Sequence, residues 1–376
     1  MSLALAGIDD FHVHLRQGTL MRAVTPLLAK SGCRLAYVMV CLLTVPVQPN
    51  VADMRLPAQP NLKPPIRTTD EALAYKAQLQ QLAPGVEFLM TLYLNPELTP
   101  DEIRKAAKAG VKGVKSYPRG VTTNSDSGIE SYTVYYDVFR AMEEVGMVLN
   151  LHGEIPSDPS NDVCVLNAEE RFLKHLAQLH ADFPNLKIVL EHATTKAAVD
   201  MVKSLGDTVG CTITVHHLQL IVDDWAGQCH HFCKPVAKFP HDRDALRGVI
   251  SEGHPRFFLG TDSAPHPRHT KESVAAAAAG VFVTPYVLPY LATILDSFGA
   301  IDKLEGFATR FGRAFYGIAE PAAAAAGVRA VKLVKAASGA GLRVPEEIPF
   351  VDDDGIQRSV VPFWAGKELP WTIELE

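Results

Sequence analysis

The stretch Asp10-Phe11-His12-Val13-His14-Leu15-Arg16 places two histidines and an arginine where they could do chemistry. Ile8, Phe11, Val13 and Leu15 predict a short, buried β-strand. Residues two apart on a strand share a face, so His12 and His14 project together, with Arg16 beyond them. Two neutral imidazoles on one face can grip a metal ion. The plain alternative is a pair of satisfied core or surface histidines, because a chance His-x-His among fourteen histidines is unremarkable. Only the rest of the chain separates the two.

Other residues fit for metal chemistry close short apolar runs in the same way. Lys115 lies in Gly113-Val114-Lys115-Ser116-Tyr117, His152 ends Val148-Leu149-Asn150-Leu151-His152, His192 ends Ile188-Val189-Leu190-Glu191-His192, and Asp262 ends Phe257-Phe258-Leu259-Gly260-Thr261-Asp262. Four histidines and an aspartate suit zinc. They are too many for one tetrahedral ion that keeps an open position, so the set predicts two ions. About 3.5–4 Å apart, such ions share a hydroxide and polarise a substrate carbonyl. Lys115 as an ammonium has no acceptor to bridge them. Carboxylated by carbon dioxide, its amine would offer two oxygens. By itself Lys115 reads as a solvated or salt-bridged lysine.

These residues need a frame that brings them to one place. Apolar runs recur at Leu35–Val40, Val86–Leu94, Val111–Tyr117, Met147–His152, Leu186–His192, Val209–Val215 and Arg256–Asp262, eight with the first strand. Between them lie helical patterns at Thr69–Leu82, Pro100–Ala109, Tyr135–Val145, Glu169–Ala181 and Thr195–Leu205. Strands alternating with helices mean parallel βα units. Eight of them predict an α/β chain folded as a TIM (β/α)8 barrel, with the site at the C-terminal ends of the strands. The runs Ala275–Ala279 and Ala322–Ala326 predict helix.

A chain of 376 residues fits one barrel domain spanning 1–376. Hydrophobic content of 47% and charged content of 21% are those of a soluble globular protein. A net charge of −6 argues against nucleic acid as a partner. Six thinly spread cysteines point to a reducing, cytoplasmic compartment. No apolar run approaches a membrane span, and Met1–Ala6 lacks the basic residues of a signal peptide.

Several motifs together resemble the dihydroorotases, the single-function type within the amidohydrolase superfamily. They are Asp10–Arg16, Pro60-Asn61-Leu62-Lys63-Pro64-Pro65, Lys115-Ser116-Tyr117-Pro118, Thr122-Thr123-Asn124-Ser125, Leu151-His152-Gly153-Glu154, Glu191-His192-Ala193-Thr194-Thr195-Lys196, Gly260–His266 and Val361–Gly366. The resemblance implies that His12, His14 and Asp262 hold one zinc, that His152 and His192 hold a second, and that carboxylated Lys115 bridges them. It implies a proton-transfer role for Asp262. It assigns the substrate carboxylate to Arg16, Asn61 and His266, a mobile loop to Thr122 and Thr123, and ring-reading backbone to Lys234 and Ala279. The reaction implied is the reversible interconversion of (S)-dihydroorotate and N-carbamoyl-L-aspartate in pyrimidine biosynthesis, by a homodimer acting on a small molecule. The alternatives are another cyclic amidohydrolase of the hydantoinase or dihydropyrimidinase kind, and a non-catalytic barrel scaffold.

Two features stand apart from this pattern. Cys229-His230-His231-Phe232-Cys233 suggests a zinc knuckle, but no second ligand pair lies nearby, and a loop against the substrate pocket is the expectation. His216 and His217 follow the seventh run, with the metal positions already filled. The departure from the family is Val40–Gln59, twenty residues between Met39 and Pro60. It reads as an atypical insert in the second βα loop, either a surface loop or a translated intron. Residues 320–376 are expected to form a C-terminal extension packed on the barrel.

Overall fold

A computed structural model of the chain describes residues 2–39, 66–118, 131–320, 331–336 and 341–375. Asn61, Thr122, Thr123, the insert 40–59 and the second alanine run lie outside the described residues. A short strand, β1 (Ser2–Leu5), precedes eight parallel strands: β2 (Ile8–Val13), β3 (Cys33–Val38), β4 (Glu87–Tyr93), β5 (Gly113–Ser116), β6 (Val148–His152), β7 (Ile188–Glu191), β8 (Val209–Ile213) and β9 (Phe257–Leu259). They are hydrogen-bonded in chain order from β2 to β9. The ring is brought round just past β9, where Asp262 N donates to His12 O at 2.8 Å and His14 N donates to Ser263 O at 3.0 Å. The eight-stranded barrel and its site-bearing rim are therefore those expected from the runs.

The runs are almost wholly apolar because each strand is buried on both faces. One set of alternate residues packs outward on the helices, among them Ala36, Val38, Phe88, Met90, Leu149, Leu151 and Ile188. The other points inward: Leu35, Tyr37, Leu89, Val148, Val189 and Phe258 pack with Phe11 and with Phe315 and Tyr316 of the helix Phe311–Tyr316. Phe11 stacks on Tyr316 with ring centroids 5.0 Å apart. The interior admits no added atom at Gly113, where a Cβ would come within 2.5 Å of Asn150 Oδ1.

Local sequence sets the helix starts. Thr68, Thr99 and Thr195 each accept a backbone N–H three residues on, capping the helices Thr69–Leu82, Pro100–Lys108 and Lys196–Ser204. Glu71 returns a bond to Thr68 N, closing a capping box. The run Ala275–Ala279 corrects the expectation of helix: it is irregular. The Lys271 ammonium donates to Ala278 O and Gly280 O at 2.8 and 2.7 Å, and Ala278 N donates to Thr270 O. These tertiary bonds outweigh alanine's modest propensity. Beyond the barrel, Val331–Lys335 (β10) pairs antiparallel with β1 and with Trp371–Leu375. Trp371 is fully buried. No helix among the described residues is long and apolar enough to cross a membrane.

Candidate active site

The closing bonds at His12 and Ser263 carry β2 and the segment after β9 to the same rim. There His14 Nε2 lies 3.0 Å and His12 Nε2 3.5 Å from Asp262 Oδ1. Donor atoms of His12, His14 and Asp262 lie within 4.8 Å of one another. The His192 ring stands 4.9 Å from that of His12 and 4.8 Å from that of His152. Lys115, fully buried on β5, places Nζ 4.8 Å from the Tyr117 ring centroid. All six residues expected at a metal centre thus meet at one rim.

Three of the four histidines are turned by a fixed partner. His12 Nδ1 sits 2.6 Å from Glu191 Oε2, His14 Nδ1 3.2 Å from Met39 O, and His152 Nε2 2.8 Å from Glu154 Oε2. The opposite nitrogen of His12 is left without a hydrogen bond and that of His14 lies against Asp262, as in sites where a bonded N–H sets the tautomer of a ligating imidazole. Glu191 is itself held by Thr212 Oγ1 at 2.6 Å and Asn150 Nδ2 at 2.7 Å. Burial raises the Glu191 carboxyl to about 7, against the opposing pull of Lys115. Asp10 anchors the rim from below, accepting from Thr261 N and Oγ1 and from His12 N. Glu169 clamps Thr194 and Thr195, fixing the turn after His192.

Burial lowers His12, His14, His152 and His192 below the usual imidazole range, and the Lys115 ammonium pushes each the same way. Their lone pairs stay available at neutral pH. Burial alone would raise Asp262, but the hydrogen bond with His14 and the nearby His12, His14 and Lys115 bring it down to about 2. Arg16, His192 and Asp262 have φ of 62°, 43° and 45°, in a region that side-chain-bearing residues rarely adopt. Such strain gathers at functional sites. The donor set fits a metal ion: His12 Nε2 is buried without a hydrogen bond, and neutral imidazoles and an ionised carboxylate surround it.

Beside this cluster lies the Arg16 guanidinium. Arg16 Nε donates to Pro265 O at 2.8 Å, and its Nη2 lies 3.0 Å from His266 Nε2. His266 Nε2 is also 3.0 Å from Ala279 O. The 232–235 and 278–280 backbones are joined by Lys271, whose ammonium donates to Phe232 O, Ala278 O and Gly280 O, and by Gly280 N donating to Phe232 O. Lys234 is half-buried in this segment, and its charge helps to lower Glu154. No knuckle forms around Cys229, whose neighbours His230 and His231 bond Glu272 and Asp224 O instead. Glu154, Glu169, Glu191 and Lys271 went unassigned from sequence. The signal for Glu191 was a carboxylate set among apolar strand residues; for the others only the fold supplies one.

An α/β barrel with histidines, a lysine and an aspartate gathered at its strand ends defines an amidohydrolase-type enzyme class. A family profile described as Amidohydrolase matches residues 60–204. The chain is 51% identical to the dihydroorotase of Mycosarcoma maydis over 97% of its own length and 96% of the relative's. It superposes on the crystal structure of Saccharomyces cerevisiae dihydroorotase in complex with 5-fluoroorotic acid with a TM-score of 0.87 and 40% identity, covering 100% of this chain and 99% of that one. An L-hydantoinase (dihydropyrimidinase) from Arthrobacter aurescens shares the fold, with a TM-score of 0.78 at 17% identity over 100% of this chain and 84% of its own. The chain belongs to the dihydroorotase family, a metal-dependent one.

Proposed function

We propose that this chain interconverts (S)-dihydroorotate and N-carbamoyl-L-aspartate, in the direction of ring closure during pyrimidine biosynthesis. The observation that carries the reading is the Arg16–His266 pair set beside the His12–His14–Asp262 cluster. A cation beside a metal-ligating cluster suits a cyclic amide that bears a carboxylate. The yeast relative's complex with 5-fluoroorotic acid, itself a pyrimidine carboxylate, supports the same substrate class.

In this reading two zinc ions would be held per subunit, by His12, His14 and Asp262, by His152 and His192, and by carboxylated Lys115. Metal held there would activate water and polarise the amide carbonyl. The chain does the rest. Arg16 grips the substrate carboxylate through its planar fork, with His266 and Asn61 beside it. The backbone at Lys234 and Ala279 lines the ring, and Thr122 and Thr123 belong to the covering loop. In the hydrolytic direction Asp262 takes the proton released during attack and returns it to the departing ring nitrogen, and ring closure runs these transfers in reverse. Glu191 and Glu154, beside His12 Nδ1 and His152 Nε2, would take the N–H of each ring and leave its other nitrogen a lone pair for the metal.

The reading extends to a homodimer in the cytoplasm, built as one barrel domain with residues 40–59 as an insert and 320–376 as an extension. The competing substrate class is the hydantoin or dihydrouracil ring, which lacks the carboxylate and would leave Arg16 and His266 without a target. The deciding experiment compares kcat/KM for dihydroorotate and dihydrouracil on the metal-loaded protein. Dihydroorotate is expected to be preferred strongly, and Arg16→Ala to erase most of that preference through KM. Faster turnover of dihydrouracil sinks the assignment. Protein that holds no zinc, and gains no activity when zinc and bicarbonate are supplied, is a scaffold instead.

A further inference from the structure

His216 and His217 follow β8, and Cys233 follows the turn Cys229–His231. None has a task in the site described above. The fold nevertheless buries all three together: His216 is 0% exposed, and His217 and Cys233 are each 1% exposed. One donor atom from each lies within 4.8 Å of the others. The two imidazole rings are 4.4 Å apart between centroids. Cys233 Sγ stands 3.5 Å from His217 Nε2. Sulfur and nitrogen bound to one tetrahedral zinc at ordinary bond lengths are separated by about 3.6 Å.

The polar atoms here are poorly satisfied by the protein. Neither nitrogen of His216 has a hydrogen-bond partner, nor has Nδ1 of His217. Buried polar atoms are bonded in the great majority of cases, so three orphans on two adjacent rings call for an explanation. The remaining nitrogen, His217 Nε2, and Cys233 Sγ converge on Pro235 O at 3.1 and 3.2 Å.

We propose that His216, His217 and Cys233 bind one borderline-soft divalent ion of the zinc class, at a site separate from the His12–His192 centre. The residue types match: imidazole and thiolate are the ligands such ions select. Burial draws His216 down to about 3, so its ring is neutral at neutral pH and one of its nitrogens carries a free lone pair. Burial also pushes the Cys233 thiol up. Binding therefore replaces the thiol proton, which passes to solvent, with no change in oxidation state. The carboxylate of Asp262 faces Cys233 and His217, and that of Glu154 faces Cys233; the ammonium groups of Lys238 and Lys271 oppose them. Cys233 directly precedes Lys234, so an ion here would pin the backbone that lines the substrate pocket.

The test loads the full-length protein with Co2+ alone and records its absorption spectrum and metal content. No residue of the proposed catalytic centre contributes sulfur, so a thiolate-to-cobalt charge-transfer band in the near ultraviolet reports this site. The wild-type protein is expected to show the band. Cys233→Ser and His216→Asn are each expected to lose the band and one ion per chain, and to keep the ions of the other centre. A fully loaded wild-type protein without the band overturns the site, whatever becomes of the catalytic reading. A band that survives Cys233→Ser places the ion on another thiol and overturns it equally. Loss of the catalytic-centre ions in Lys115→Ala, with one ion per chain and the band retained, separates the two centres from the other side.

Discussion

The two ends of the barrel handle buried charge in opposite ways. At the lower end Asp9 is enclosed by Arg34 Nη2 at 2.7 Å and by Arg313 Nε and Nη2 at 2.5 and 3.1 Å, with Glu320 near both arginines. Phe11, Phe258, Phe315 and Tyr316 seal the space above. Each charge there meets its opposite within the chain. At the upper rim the imidazoles crowd one another around Lys115, and burial depresses all of them. The chain leaves His12 Nε2 without a hydrogen bond. One end is a finished structure, whereas the other is a set of donors arranged for something the chain does not itself supply. The contrast shows how one set of strands can separate stability from chemistry, as barrels of this class do.

Substitutions sharpen this contrast, beginning at the rim. Lys115→Ala is expected to abolish turnover and empty the paired metal positions, with thermal stability changed far less than activity. Metal content by atomic absorption checks it, and short carboxylic acids are expected to restore part of the activity. Full activity without rescue removes the carbamate from the mechanism. Asp262→Asn is expected to retain metal while turnover falls by about 10²–10⁴-fold, the usual range for a lost acid–base group. Its pH–rate profile should lose the wild-type acidic limb, and a mutant that keeps that limb assigns the proton to another residue.

At the opposite end the order reverses. Arg313→Met leaves a buried carboxylate short of a partner and is expected to destabilise folding by about 3–5 kcal/mol, read from chemical denaturation. The kcat of the folded protein should stay near the wild-type value. A large fall in kcat at unchanged fold would dissolve the distinction between the two ends. The smallest effect is expected from deleting Val40–Gln59, which joins Met39 to Pro60 and restores a short strand-to-loop connection. The shortened protein should be at least as stable and as active, with tighter use of the substrate carboxylate. Misfolding of the deletion protein would make the insert part of the barrel, and a transcript that always carries these codons would rule out a translated intron.

Much of this was legible in the residues alone. A strand buried on both faces must be apolar throughout, so the eight runs stood out, and the helix Thr69–Leu82 matched its pattern to the residue because Thr68 and Glu71 mark its start locally. His12 and His14 two apart, and a polar residue at or near the end of four later runs, marked the rim by the same short-range logic. What sequence left open depends on pairs far apart in the chain. Glu191 meets His12 across 179 residues and chooses which nitrogen of that ring stays open. Lys271 and His266 take the carbonyls around Ala275–Ala279 and deny that run its helix. Cys233, whose spacing from Cys229 suggests a knuckle without a second ligand pair, turns instead to His217. Periodicity and capping act within a few residues and are written in the sequence. Which buried polar groups meet is decided only when the barrel closes, because that closure sets the distances between strands.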